Sequence, residues 1–277
     1  MEKSRYLHRS GIASDRFFIN IELAGIVFAK SNDMDQYEIF VGHELEKWQF
    51  NMLKGPGLFG KLSKKAQDKI NSFIPEKVHN AITTVIKQMI RGVLFGAKHT
   101  TAKPLQVASL FERELVVKEK IKFYRSTAAV EGGVTGAGGF FLGLADFPIL
   151  IAIKLKLLYE IAATYGFDLN DYKERIYLLH IFELSFSGKE HSRNVYMKLV
   201  NWEQNAATLP EDINQFEWRK FQQEYRDYID LAKMAQLLPV IGAPVGLIAN
   251  YSLIKKLGNT AMNAYRMRIL QKEYSVN

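Results

Sequence analysis

A chain of 277 residues, 48% hydrophobic and 24% charged, is long enough to bury a sizeable core and too apolar to be disordered throughout. It contains no cysteine, which excludes disulfides, thiolate catalysis and cysteine-ligated zinc together. The formal net charge is +8, and it is unevenly spread: between Lys47 and Lys103 eleven Lys/Arg residues stand against only Asp68 and Glu76.

The first eighteen residues, MEKSRYLHRSGIASDRFF, hold no unbroken apolar core, so no secretory signal is expected. Residues 1–40 form an extension whose structure the pattern does not decide. From Tyr37 to Leu53 the spacing predicts a helix that ends before Gly55-Pro56-Gly57, a strong breaker. Ser63 to Phe73 is short, basic and amphipathic. Lys54, Lys61, Lys64, Lys65 and Lys69 make this zone a candidate for a membrane surface or another phosphate-bearing partner, the bland alternative being a solvated helix face. Pro75 opens a helix to about Ala97, Pro104 starts another element, and Glu112 to Ala129 runs helically into a glycine-rich stretch.

A helix is then expected to open at or near Pro148. Leu150, Ile153, Leu157, Ile161 and Tyr165 recur every three or four residues as a core-facing stripe. Lys156 and Glu160 have the exposed i,i+4 spacing, and Gly166 suits the position just past the helix end. Asn170 or Asp171 can cap the next helix, through Phe186, before Gly188 stops it. Pro210 is placed in the first turn of a long helix to about Gln236. A Pro/Gly-broken apolar run then leads into a final basic helix.

The stretch EGGVTGAGGFFLGLADFPIL, residues 131–150, raises the question of a phosphate loop. The Walker pattern needs a lysine after its last glycine, and Phe140 stands there; the dinucleotide fingerprint fails at Phe141. Gly132/Gly136 and Gly139/Gly143 instead have the small-xxx-small spacing that lets helix backbones approach closely. From Gly132 to Ile153 the only charge is Asp146, and from Met234 to Ile254 there is none. Each run has about the ~20 residues that span a bilayer. Pro148, Pro239, Pro244, the glycines and the overall polarity favour instead a broken helical hairpin, buried in protein or dipping into one leaflet, and basic residues on both flanks of each run give no orientation. The breaks, Gly143 to Pro148 and Pro239 to Gly246, are expected to pack together, burying Gly242 and Gly246 with the other glycines and bringing Asp146 near Asn250.

No catalytic set stands out. Glu76-x-x-His79, His180-x-x-Glu183 and Glu190-His191 read as coincidences among six histidines, so no metal site and no cofactor are expected. Asp146 either caps a helix or serves a ligand, proton or partner. With Glu160, Asn250 and Tyr251 it makes the candidate pocket.

Four blocks in order, KKAQDKINSFIPEKVHNAITTVIK, the glycine stretch with GLADFPILIAIKLKLLYEIAATYGFD, KERIYLL, and LAKMAQLLPVIGAPVGLIANYSLIKKLGNTAMNAYRMRIL, together resemble the EcsC family of bacterial proteins over roughly residues 40–272. Positions matching that family's recurrent pattern are Glu131, Gly136, Gly139, Asp146, Pro148, Glu160, Tyr165, Gly166, Glu174, Arg175, Pro239, Gly242, Gly246, Asn250 and Tyr251. The resemblance implies a helical cytoplasmic protein whose namesake is encoded beside an ABC transporter, and it brings no catalytic residues.

The expected fold is all-α: a multi-helix bundle with the two broken apolar segments at its centre, an extension over residues 1–40, a domain over 41–272 and a tail over 273–277. The expected function is non-enzymatic, that of a peripheral adaptor or regulator on the inner face of the cell membrane. Its partners would be an anionic membrane surface and an integral membrane complex; nucleic acid is not expected, since few aromatics interleave with the lysines. The alternative is an enzyme or binder of a lipid-like ligand, with a pocket between the two apolar segments.

Overall fold

Helix caps written in the sequence organise much of the chain. The computed structural model describes residues 31–54, 76–95, 103–136, 139–229 and 243–276. Among them the α-helices are α1 (Ser31–Leu53), α2 (Glu76–Phe95), α3 (Leu110–Gly136), α4 (Gly139–Thr164), α5 (Tyr172–Phe186), α6 (Lys189–Val200), α7 (Trp202–Ala207), α8 (Trp218–Tyr228) and α9 (Ala243–Val276). The fold is all-α. Among the described residues the extended backbone makes one isolated bridge, Ser187 with Ile229. The chain divides into two units, Met1–His43 and Glu44–Asn277. In the described part of the first, Tyr37 and Phe40 meet ring to ring.

In the second unit, α3 opens with a capping box: Ser109 N donates to Glu112 Oε2 at 2.8 Å and Glu112 N to Ser109 Oγ at 3.3 Å. α4 closes on Gly166, whose φ of +90° glycine adopts without strain. Gly166 N donates to Ala163 O and Phe167 N to Ala162 O, the paired bonds of a Schellman ending. Asp171 caps α5, accepting from Lys173 N at 2.8 Å. Gly166 and Asp171 lie where the residue types predict them.

Two expectations are corrected. α4 does not open at Pro148: it starts at Gly139 and carries Pro148 in its interior, so the expected break between Gly143 and Pro148 is absent. An interior proline removes one intrahelical bond and costs about 3 kcal/mol. Phe147, Leu150 and Ile151, all buried, supply packing on both sides of it. Of the described residues in the first run, those to Gly136 belong to α3 and those from Gly139 to α4. Nor does Pro210 open a long helix. Pro210 O accepts from the Tyr172 hydroxyl, Asp212 caps a short 3-10 turn at Ile213–Gln215, and α8 begins only at Trp218. α6 and α7, which the pattern does not separate, precede it.

The core is built on α3, α4 and α9, with α5 wedged among α2, α4, α6 and α9. From Arg175 to Phe186 every residue of α5 is buried, so this helix is core on all sides. Arginines fasten the ends. Arg113 donates to Leu105 O, Ala108 O and Thr164 O, and Arg175 to Leu94 O, Leu169 O and Asn170 O. Both guanidiniums thereby satisfy carbonyls that helix ends and loops leave open. Arg266 of α9 pairs with Glu114 at 2.5 Å and Glu44 at 3.2 Å. Arg268 makes two bonds to Glu174, at 2.6 and 2.8 Å, between the rings of Phe167 and Tyr177.

Candidate functional site

The directions of α3, α4 and α9 follow from which residues meet. Glu114 and Tyr165, then Tyr124 and Glu160, pair along α3 and α4, so these helices are antiparallel. Glu114 with Arg266, Ile121 with Gly258 and Arg125 with Tyr251 make α9 antiparallel to α3 as well. Hence the C-terminal end of α3 and the N-terminal ends of α4 and α9 lie at one end of the core. The described parts of both charge-poor runs converge there. From Arg125 to Gly136, α3 continues for ~16 Å, and α4 extends ~22 Å from Lys154 back to Gly139, at 1.5 Å per residue.

Within this end, Lys154 is fully buried, a costly place for an ammonium without polar partners. Its Nζ donates to Leu150 O at 3.2 Å and to Asn250 Oδ1 at 3.1 Å, and Asn250 is itself fully buried. Lys154, just past the first run, thus meets Asn250 of the second run through a polar contact. Asn250 acts toward Lys154 as an acceptor. Asp146 lies inside α4 rather than ahead of it, so it does not cap that helix; its side chain lies outside the described residues.

On the outer side, the guanidinium of Arg125 lies over the ring of Tyr251, 3.9 Å from its centroid. Its Nε is buried without a hydrogen-bond partner. Exposed apolar groups on these three helices are Phe123, 64% exposed, Ile149, 53%, and Tyr251, 42%. Lys122, three residues before Arg125, and Lys255, four after Tyr251, are exposed too.

Glu160 does not join Asn250. It reaches across to α3, where Lys120 Nζ donates at 2.8 Å and Tyr124 OH at 2.5 Å. Partial burial pushes its carboxyl up, but these two hydrogen bonds outweigh that and hold it below the usual value. Glu160 therefore clamps α3 to α4 as an ion. Of the candidate basic residues, Lys54 is exposed at the end of α1, 5.9 Å from the Phe50 ring, while Lys61, Lys64, Lys65 and Lys69 lie outside the described residues. Gly132 and Gly136 belong to α3, Gly139 and Gly143 to α4 and Gly246 to α9; Gly242 is outside the described residues.

The close-packing glycine that the sequence reading misses is Gly258. A Cβ there would stand 2.5 Å from Ile121 Cγ1. A second miss is a buried cluster beside α6. His180 Nδ1 is 2.9 Å from Glu183 Oε2, and His191 Nε2 is 2.8 Å from Glu183 Oε1. The i,i+3 spacing of the first pair was visible, but the second histidine arrives from another helix. Burial alone would raise the Glu183 carboxyl; the two imidazole contacts overcome it and hold the group at about 2. Among the described residues no three such side chains are arranged to hold a metal ion.

The family model described as the EcsC protein family matches residues 41–270. The chain belongs to the EcsC family. Protein EcsC of Bacillus subtilis (strain 168) is 42% identical over 230 residues, covering 83% of this chain and 94% of that protein. The uncharacterized protein YdbA of the same organism is 26% identical over 247 residues, covering 81% of this chain and 90% of its own length. No solved structure matches. The EcsC-family span takes in α2 to α8 and most of α9, hence the whole described end where the apolar runs converge. Among the described residues no helix is long and apolar enough to cross a membrane.

Proposed function

We propose that this EcsC-family protein works at the inner face of the cell membrane, binding it peripherally and serving as an adaptor or regulator beside an integral membrane complex. One observation carries the reading: two charge-poor runs, distant in sequence, converge at one end of a three-helix core whose flank exposes Phe123, Ile149 and Tyr251. Apolar groups gathered at one end suit a lipid surface better than water. That end extends ~16–22 Å past the Arg125 and Lys154 level, at 1.5 Å per residue, against a leaflet of ~15 Å, half the hydrocarbon thickness. It therefore suits entry into one leaflet rather than passage through both. The basic zone from Lys47 to Lys103 supplies attraction to anionic headgroups, about 1 kcal/mol per residue near the surface.

Flotation with vesicles of phosphatidylglycerol and phosphatidylcholine, against phosphatidylcholine alone, tests this. The protein should float with the anionic vesicles and lose binding as salt rises. Reversing Lys54, Lys61, Lys64 and Lys65 to Glu should weaken it further. Wild-type protein that stays at the bottom with anionic vesicles at low salt would refute the membrane role.

A further inference from the structure

We propose that Arg125, set over the ring of Tyr251, is a phosphate site that takes the headgroup of an anionic phospholipid at the foot of the apolar end. This rests on the membrane reading above and gives it a named contact and an orientation.

Four other arginines of the second unit are held by oxygen acceptors through their side chains, although the Nε of Arg175 and of Arg268 is buried without a partner too. Arg113 holds four carbonyls and Arg175 three, Arg266 holds Glu114 and Glu44, and Arg268 holds Glu174 and Glu203. Arg125 differs. Its partner among the described residues is an aromatic face, which takes none of its five N–H donors. The Nε is sealed off without a hydrogen bond, which leaves the terminal nitrogens to find an acceptor. The ring holds the guanidinium in place, and a guanidinium so held can make two parallel bonds to phosphate oxygens.

What stands at its level along the helices selects a lipid. Lys122 is 74% exposed at its side chain and stands 3.9 Å from Glu119, too long for a firm ion pair; Lys255 is exposed one turn from Tyr251. These two would extend the positive field to the same phosphate layer. Phe123 and Tyr251 are exposed aromatics of the kind that settle at a membrane interface. Beyond Arg125 toward the apolar end the charges are the acids Glu131 and Asp146, Glu131 following ~9 Å further along α3. A phosphate on Arg125 therefore marks the depth at which polar surface gives way to apolar. Bound so, the core would stand with the ends of α3, α4 and α9 toward the bilayer and the Arg266–Glu114 layer away from it.

The test is vesicle flotation with matched variants, each checked by far-UV circular dichroism. Loss of one exposed charge, Lys255→Gln, should lower partitioning onto phosphatidylglycerol vesicles about five-fold. Arg125→Gln should lower it more than 25-fold. Arg125→Lys keeps the charge but not the fork, and should still lose more than five-fold. Tyr251→Ala, which keeps the guanidinium but removes its platform, should follow Arg125→Lys. Equal losses for Arg125→Gln and Lys255→Gln, or full binding by Arg125→Lys, would overturn the site while leaving membrane binding intact. Wild-type protein that floats with no vesicles would remove the membrane reading itself. Inorganic phosphate is the second arm. An Arg125-dependent broadening of its phosphorus resonance, with no Arg125 dependence on vesicles, would assign the site to soluble phosphate and overturn the lipid.

Discussion

Substituting Gly258 by Ala pits two opposite effects against each other. In an exposed helix the change stabilises by about 1 kcal/mol, because alanine gives up less backbone freedom. Here the new Cβ would lie 2.5 Å from Ile121 Cγ1, 2.7 Å from Cδ1 and 3.2 Å from Cγ2. Carbon atoms in contact prefer about 3.5–4.0 Å. Ile121 cannot swing clear cheaply: it is buried on α3, and branching at Cβ restricts its first torsion. The clash therefore falls near the upper end of the ~1–3 kcal/mol cost of overpacking, for a net loss of about 2 kcal/mol. In an Ile121→Ala background all three opposing atoms are gone, and the same substitution should stabilise by about 1 kcal/mol. The coupling between the two sites is then about 3 kcal/mol. Urea denaturation of the four proteins in this cycle measures it. A Gly258→Ala effect that is the same in both backgrounds would refute close packing of α9 on α3 at this position.

Other expectations concern ionised groups. Glu183 is held at about 2 in the folded protein, below the value of 4.5 for a free carboxyl, so it contributes stability that is fully present above 4.5 and is lost as pH falls through about 2. The full difference is on the order of 3 kcal/mol; in Glu183→Gln the urea midpoint should fall less steeply than wild type over that window, and identical slopes would refute the role. Arg268→Met should destabilise by about 3–5 kcal/mol, because it leaves the Glu174 carboxylate without its two-bond partner. Arg268→Lys should fall between that variant and wild type in urea midpoint, since an ammonium keeps the charge without the fork.

The features legible in the sequence are those whose cause is local. A helix ends at Gly166 because the chain must turn left-handed there, and one begins after Asp171 because its carboxylate meets a nearby N–H. The stripe through Leu150, Leu157, Ile161 and Tyr165 is buried for the reason its spacing implies, although Ile153 on the same stripe is only half-buried. Pro148 misleads because a proline signals a helix start only where tertiary packing does not hold the helix through it. Glu160 looked like an exposed partner of Lys156, yet its partners come from α3, forty and thirty-six residues earlier. Gly258, Arg125 with Tyr251, and His191 with Glu183 were illegible for that same reason. Each acquires its role from a residue on another helix, and nothing near it in the chain records the meeting.

The close fit of α9 on α3 also has a consequence in time. Ile121 and Gly258 touch across about half of the chain, so the groove on α3 must wait while the next 137 residues are made. At a synthesis rate of ~5–20 residues per second, that delay is on the order of ten seconds. α3 and α4, joined across Gly136 and Gly139, meet sooner, and their hairpin forms with one face still waiting for its third helix. Helices elongate in nanoseconds per residue, so arrival of the C-terminal segment, rather than any local folding step, sets the pace at which this core closes on the ribosome.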